Sequence, residues 1–299
     1  MKKLIFNYFI LFPIFLFGQK DEDNNIEKML EIETKDGNIF LGIVVEENEE
    51  YYKLKTKDGI LVEIPLISVQ NTEILTTKNV DGKVLRADPN KSLYLFAPSA
   101  FPIEKGKSYC RDFCVFFPSY NRGFGNNFSL QLGAFVFGAV NLDQIPLVIS
   151  GKFSLPKTTS IGILNTSFAL GGMYVQIPYE FVDEDFGLGI AFGTVTLGNN
   201  FNHFSTSIGW GYTRYSGDWE LDDEPLINIA GNFRFTNSIA LIGEQWFIPD
   251  LDLDDSPIIL STRFIGRKFA VDFGGIMTLE SIIEGILPFP IINFTYHPR

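Results

Sequence analysis

The charged residues with the clearest chemical meaning lie near the C-terminal end of the chain. If Arg267–Lys268 forms a two-residue hairpin turn, Arg263 lies directly across from Asp272 on the next strand. Arg234 and Glu244 share the same predicted face on neighbouring strands. Charges of both signs along the inner wall of a barrel, screened by water, could form the selective constriction of a pore. They could equally form a salt-bridged plug in a narrow barrel, and the sequence leaves both alternatives open.

A second candidate site is an acidic run in one predicted loop, Asp250-x-Asp252-x-Asp254-Asp255. Hard divalent cations prefer several carboxylate oxygens, so this run could bind one. It lacks the glycine and the distant glutamate of a calcium-binding EF-hand loop. A solvated acidic loop is therefore the favoured interpretation, and no cofactor or dedicated metal site is expected.

A possible catalytic pair is His203-x-Ser205, which resembles the motif of outer-membrane phospholipases and lipid A deacylases. In those enzymes an imidazole activates the serine on the lipid-facing surface. Here alternation puts both residues on the face opposite Phe204 and Trp210, and Gly217 stands about where the polar residue that orients the histidine is expected. We therefore expect no catalytic residues, and the chain is not predicted to be an enzyme.

The strands that would position these residues alternate apolar and polar side chains from about Tyr94 to the C-terminus. One strand shows the pattern clearly: its apolar face carries Ile227, Ile229, Phe233 and Phe235, and its other face carries Asn228, Ala230, Asn232, Arg234 and Thr236. Such strands can enter hydrocarbon only as a closed barrel, because every backbone N–H and C=O must be paired. The sequence therefore predicts an all-β protein with an antiparallel transmembrane β-barrel over residues 93–299.

The connections between these strands alternate in length. Short ones are predicted near 121–127, 156–160, 198–202, 236–238 and 267–268, and long ones near 99–107, 140–145, 177–185, 217–225, 249–257 and 280–288. This alternation indicates about twelve strands with both ends on the side of the short turns. Acidic residues load the long loops, so we expect those loops to be extracellular and the short turns to be periplasmic.

The first residues are typical of a secretory signal peptide, assigned to residues 1–19. Lys2 and Lys3 precede an apolar run from Leu4 to Phe17, which is shorter than the roughly 18 to 20 residues of a membrane-spanning helix. The body of the chain is therefore expected to reach the periplasm.

Residues 27–76 have a different texture, with five short alternating strands and two Thr-Lys-Asp-Gly turns at Thr34–Gly37 and Thr56–Gly59. This spacing resembles an SH3-like or Sm-like small barrel. Sm proteins bind RNA, but the acidic residues of this module would repel it. We expect a periplasmic module that binds a protein partner or is a folded cap without a ligand, followed by a linker at residues 77–92.

The stretch Leu93–Lys107 contains the phrase Phe-Ala-Pro-Ser-Ala-Phe and resembles the opening of a family of uncharacterised Gram-negative outer-membrane β-barrel proteins. The chain departs from that family at Cys110, Arg111 and Cys114. We expect the two cysteines on the inner face of one strand, roughly 13 Å apart and too far to bridge. The resemblance implies fold and location only. The last strand is similar to the C-terminal strand of barrel-assembly clients, which implies outer-membrane lipid and the assembly machinery as partners.

The overall balance of charge excludes one class of partner. A formal charge of -12 argues against nucleic acid, whose phosphates attract basic surfaces. The favoured function is a narrow pore for small solutes in the outer membrane. The alternative is a closed barrel that anchors or organises partners through its loops and periplasmic module, and a lipid hydrolase using His203 and Ser205 comes third.

Overall fold

The computed structural model describes residues 29–56, 58–75, 88–136, 144–155, 159–161, 164–178, 185–236, 238–266 and 268–298. The chain divides into two compact units between Ala87 and Asp88, and each is described by itself. The predicted signal peptide and residues 77–87 of the predicted linker lie outside the described residues. No helix in the described part of the chain is long and apolar enough to cross a membrane.

The N-terminal unit is a five-stranded antiparallel sheet in the order β4-β3-β2-β1-β5. Its strands are β1 (Met29–Thr34), β2 (Ile39–Glu47), β3 (Tyr51–Lys55), β4 (Leu61–Pro65) and β5 (Val69–Leu75), with a 3-10 turn at Leu66–Ser68. Leu30, Ile32, Leu54 and Ile64 form its core. Gly37 and Gly59 close the two predicted hairpins with φ of 84° and 80°, a conformation that favours glycine. The five strands are confirmed, and the likeness to SH3-like or Sm-like domains stays a prediction.

The second unit is a closed antiparallel barrel of twelve strands, in which β19 pairs with β6 and β9 pairs with β11. The ring consists of β6 (Ser108–Phe113), β7 (Phe117–Phe124), β8 (Phe128–Ala134), β9 (Leu147–Ser154), β11 (Leu164–Ile177), β12 (Phe186–Gly198), β13 (His203–Tyr215), β15 (Leu226–Arg234), β16 (Ile239–Phe247), β17 (Ile258–Ile265), β18 (Phe269–Met277) and β19 (Phe289–Tyr296). Two short strands, β10 (Thr159–Ile161) and β14 (Asp218–Leu221), pair at its edges, and helix α1 (Leu279–Glu284) lies between β18 and β19. The predicted all-β class, with an antiparallel barrel of about twelve strands after a small five-stranded module, is confirmed.

The connections alternate between the two ends of the barrel as predicted, with one exception. The expected loop near 99–107 is wrong, because residues 93–107 do not form a first strand and loop. Instead, β6 and β7 are joined by a three-residue turn at Cys114–Phe116. The sequence predicted a strand at residues 93–98 that is absent, and it missed the turn that separates β6 from β7. These two errors cancel, so the predicted number of strands is nevertheless right. We call the end that carries this turn and the longer loops the loop side.

The two cysteines do not share a strand face. Cys110 lies in β6 with its side chain exposed on the outside of the barrel, and Cys114 lies in the turn with φ of 53°. The expectation of two inward-facing thiols on one strand is therefore wrong. The cause is the turn itself, which ends β6 at Phe113 instead of letting the strand continue.

Candidate functional site: the filled barrel interior

An irregular stretch of chain, Asp88–Lys107, precedes the barrel strands, and we call it the inner segment. Its residues 88–103 contact the inward face of the wall, whereas residues 104–107 are exposed. Tyr94, Leu95 and Ala97 of this segment are buried, and they pack against inward residues of the wall. Those wall residues are Ala230, Ile242, Ile259 and Ile291. Residues 88–92, which the sequence assigned to the linker, thus belong to the barrel unit, and residues 93–98 occupy its interior.

Glu244 of β16 binds the backbone of the inner segment. Its Oε1 accepts hydrogen bonds from the backbone N–H groups of Leu95 (2.5 Å), Phe96 (2.9 Å) and Ala97 (3.2 Å). Its Oε2 accepts from the indole N–H of Trp246 at 3.0 Å. A buried carboxylate is costly unless its oxygens are hydrogen-bonded, and here the inner segment supplies most of the donors. Glu244 therefore fixes the turn of the inner segment to the wall.

Lys152 of β9 holds the same segment on the opposite part of the ring. Its ammonium group donates hydrogen bonds to the carbonyl oxygens of Ser92 (2.8 Å), Ser99 (2.6 Å) and Phe101 (2.9 Å). An ammonium group has three N–H donors, so these bonds use all of them. Beside it lies a cavity of about 50 Å³ whose lining includes Tyr109, Lys152 and Ser129. That volume has room for water.

Arg263 forms the centre of a buried charge network. Its Nε donates to Asp272 Oδ1 at 2.6 Å, and a second guanidinium nitrogen donates to the carbonyl oxygen of Tyr94 at 2.9 Å. The remaining one lies 3.4 Å from Asp88 Oδ2. Asn293 of β19 donates to Asp272 at 2.6 Å, which extends the network toward the closing strand. Arg263 thus binds both the wall and the inner segment.

Arg111 of β6 continues this network across the closure between the first and last strands. Its Nε donates to Asn293 Oδ1 at 2.7 Å, and it also donates to the carbonyl oxygen of Leu95. Backbone pairing between β6 and β19 covers four residue pairs only. Side-chain contacts inside the barrel therefore contribute to closing it.

His203 and Ser205 are buried on the inward face, as alternation predicted. The Ser205 hydroxyl shares hydrogen bonds of 2.7 Å with the hydroxyl groups of Tyr94 and of Thr196. His203 Nδ1 lies 3.2 Å from the carbonyl oxygen of Asn199, and its ring packs against the ring of Tyr94. These contacts place both side chains in the packing between wall and inner segment.

The four residues predicted to line the lumen have three different positions. Arg263 and Asp272 are paired in the predicted register, and Glu244 binds the inner segment. Arg234 lies at the short-turn end, where its Nε donates to the carbonyl oxygen of Thr236 at 2.8 Å. Lys152 is not among the residues predicted from the sequence, although it lies on the polar face of the alternating strand β9.

The acidic loop between β16 and β17 is organised by its own backbone. The carbonyl oxygen of Asp252 accepts from the N–H groups of Asp255 (3.0 Å) and Ser256 (3.1 Å), and Asp250 has φ of 65°. A hydrogen bond with Asp255, with repulsion from nearby carboxylates, raises the pKa of Glu280 at the start of α1. Among the described residues, no three side chains of His, Cys, Asp or Glu converge to hold a metal ion.

Comparisons with known proteins add little to this geometry. No protein-family model matches the sequence, and no curated protein matches it. One solved structure that is similar, at 9% identity, is the cryo-EM structure of the E. coli P pilus tip assembly intermediate PapC-PapD-PapK-PapG in the second conformation. The match covers 94% of this chain and 46% of that chain, with a TM-score of 0.18. The chain spans less than half of that chain, and the superposition is too poor to indicate a shared fold.

Proposed function

We propose that the protein is an integral outer-membrane β-barrel that is closed in its resting state by its own inner segment. Its role would be to anchor and present the N-terminal module and the loop-side surface to partners. The observation that carries this proposal is the set of charged wall residues bound to the backbone of the inner segment: Lys152, Glu244 and Arg263. The wall uses its inward charges to hold chain in place, which leaves none of these three free to bind a passing solute.

The outward face supports the membrane location. On β13 the outward side chains of Ile208 and Trp210 are exposed, whereas the inward Ser205 and Ser207 are buried. A barrel in water would show the opposite arrangement at its outer surface, since exposed apolar bands are costly in water. The protein is therefore expected to fractionate with outer membranes, resist alkaline carbonate extraction and migrate faster on gels when unheated. Release by carbonate would contradict the membrane location.

A second candidate function, a gated narrow pore, is favoured by the polar nature of the same contacts. Water can replace hydrogen bonds to Lys152, Glu244 and Arg263 if the inner segment moves, whereas it could not replace an apolar core. Planar-bilayer recordings separate the two functions. A closed anchor gives no conductance in the wild type or in a Lys152→Ala/Glu244→Ala variant, while a gated pore conducts at least in that variant. A matched variant, Glu220→Ala on the exposed strand β14, should behave as the wild type.

A further inference from the structure

Several phenylalanine rings lie at the loop side of the barrel, beside the turn that the inner segment makes at residues 94–97. The ring of Phe96 lies 4.4 Å from that of Phe113, measured between centroids. Phe113 is paired with Phe117 across the β6–β7 hairpin, and Phe117 stacks on Phe135 at 4.6 Å. We call Phe96, Phe113, Phe117 and Phe135 the phenylalanine row. The row runs from the inner segment, across the β6–β7 hairpin, to the residue after β8.

The wall rings of this row, Phe113, Phe117 and Phe135, lie on the inward face, and the first two are partly buried. Arg111 and Ser119, each two residues away on the same strands, are buried inside the barrel. Nevertheless, Phe96 and Phe135 expose 42% and 44% of their surface. Large apolar side chains that stay exposed together mark an interaction surface. Elsewhere the apolar residues of the inward face, Ala230, Ile242, Ile259 and Ile291, are buried, so the exposed rings of Phe96 and Phe135 differ from the rest of the interior.

The barrel wall is lowest beside this row. β6 has six residues, which span about 20 Å along the strand, whereas a membrane strand usually has about 9 to 11 residues. β19 pairs with β6 only from Asn293 to Tyr296, so its first four residues have no partner strand on that side among the described residues. The last contact is a 2.8 Å hydrogen bond from the N–H of Cys114 to the carbonyl oxygen of Ile292. Pro290, which has no N–H, lies in the unpaired stretch, where a strand tolerates it.

The turn at the top of this low wall is apolar. Cys114 and Val115 have φ of 53° and 66°, a conformation that hairpin turns normally give to Asn-Gly. Val115 and Phe116 are nevertheless exposed. A turn tip in water would be polar, whereas an apolar tip suits hydrocarbon. In the proposed membrane location, the low wall and its apolar tip would bring the phenylalanine row close to acyl chains.

We propose that the phenylalanine row binds an acyl chain of a membrane lipid, which reaches it over the Cys114–Phe116 turn. This inference rests on the proposed membrane location. Aromatic rings offer a large apolar surface at low conformational cost, and an acyl chain lying on the row would cover the exposed faces of Phe96 and Phe135. We assign a lipid as the occupant because the route over the turn starts in the hydrocarbon of the membrane. A ligand from solution would instead enter through the loop-side opening of the barrel.

Photo-crosslinking of the full chain tests this proposal. The protein is reconstituted in phosphatidylcholine vesicles that contain a phospholipid with a diazirine at the end of one acyl chain, and the adducts are located by mass spectrometry. We expect adducts on the phenylalanine row as well as on the outward face. Phe96→Ser together with Phe135→Ser should lower the row adducts about tenfold. The matched change of two outward rings, Phe264→Ser with Phe273→Ser, should leave the row adducts unchanged.

A second variant tests the route. Val115→Asp puts a charge on the turn tip, so it should suppress row adducts from the vesicle lipid while preserving labelling of the row by a diazirine fatty acid added in solution. Unchanged labelling by the vesicle lipid in this variant would overturn the route over the turn. Outward adducts without row adducts in the wild type would overturn the site and leave the membrane location standing. The absence of both kinds of adduct would overturn the membrane location and the proposal together.

Discussion

Arg263 of β17 and Asp272 of β18 lie directly opposite each other, and the guanidinium Nε donates a 2.6 Å hydrogen bond to the carboxylate. Both side chains are almost completely buried, at 2% and 1% exposure. The register agrees with the hairpin that the sequence predicted. The surroundings differ from the partly wet lumen that the sequence suggested, because Asp88 and Tyr94 of the inner segment fill the space beside the guanidinium.

Removing either partner of this pair should destabilise the barrel strongly. Arg263→Ala and Asp272→Ala each leave a buried charge without its partner, at a cost of about 3 to 5 kcal/mol. The double variant should be more stable than the two single effects predict additively, with a coupling energy of about 2 kcal/mol in urea unfolding.

The barrel offers a matched control for this cycle. Arg214 and Asp185 form an ion pair at the same 2.6 Å distance, but their side chains are 32% and 29% exposed. Their coupling should stay below about 1 kcal/mol because water screens them. Equal coupling at both pairs, or strict additivity at Arg263 and Asp272, would contradict the dry network.

Glu244→Gln should loosen the inner segment at its turn. The carboxylate accepts three backbone N–H bonds, and an amide oxygen is a weaker acceptor than a charged one. A loss of about 1 to 3 kcal/mol would speed hydrogen exchange at Leu95, Phe96 and Ala97 by about fivefold to 150-fold. Glu220→Gln on exposed β14 should leave these amides unchanged. Unchanged exchange in the Glu244 variant would show that the segment is held mainly by its other contacts.

The strands of the barrel wall could be predicted from the sequence because they depend on local patterns. Alternation fixes which residues of β13 and β15 face inward, and five of the six loop-side connections fall where turn chemistry predicted them. The inner segment was misread because Leu93–Ala97 also alternates, and nothing local shows where its backbone hydrogen bonds go. The backbone N–H of Leu95 donates to Glu244, which lies 149 residues later in the chain. The role of Asp88 could not be predicted for the same reason, because composition does not distinguish a buried acceptor for Arg263 from a polar linker residue.

Cysteine labelling on intact cells should report the orientation of the barrel. In a background with Cys110→Ala and Cys114→Asn, a cysteine at Asp222 should react with an impermeant thiol reagent, and one at Lys268 should not. Asparagine is chosen at position 114 because it tolerates the positive φ of that residue. Loop-side and short-turn residues lie at opposite ends of the barrel, so the two results are linked. Reaction at Lys268 with protection at Asp222 would reverse the orientation.

His297 should make the stability of the barrel depend on pH. Burial lowers the pKa of its imidazole to about 4, and its ring packs against that of Tyr109. In the unfolded chain a histidine has a pKa of about 6.5, so the unfolded state binds the proton first. Its contribution to stability is therefore complete above about pH 6.5 and is lost as the pH falls toward 4.

An NMR titration in detergent micelles checks this. The chain has two histidines, so His297→Gln identifies the signal of His297 by its disappearance. The midpoint should lie near 4, and a midpoint near that of an unfolded histidine would contradict the buried environment.

Val115→Gly should stabilise the barrel. A β-branched residue at φ of 66° is strained by its own Cβ at a cost of about 1 to 2 kcal/mol, and glycine removes that strain. Glycine also adds freedom to the unfolded chain, which offsets about 0.4 to 1 kcal/mol of the gain. The net increase in the free energy of unfolding should therefore be about 1 kcal/mol in micelles. Gly217→Ala is the converse control, since it places a side chain at φ of 95° in another loop-side turn and should destabilise. A loss of stability in Val115→Gly inside lipid vesicles but not in micelles would instead show that the valine side chain is held by hydrocarbon, as the access over this turn requires.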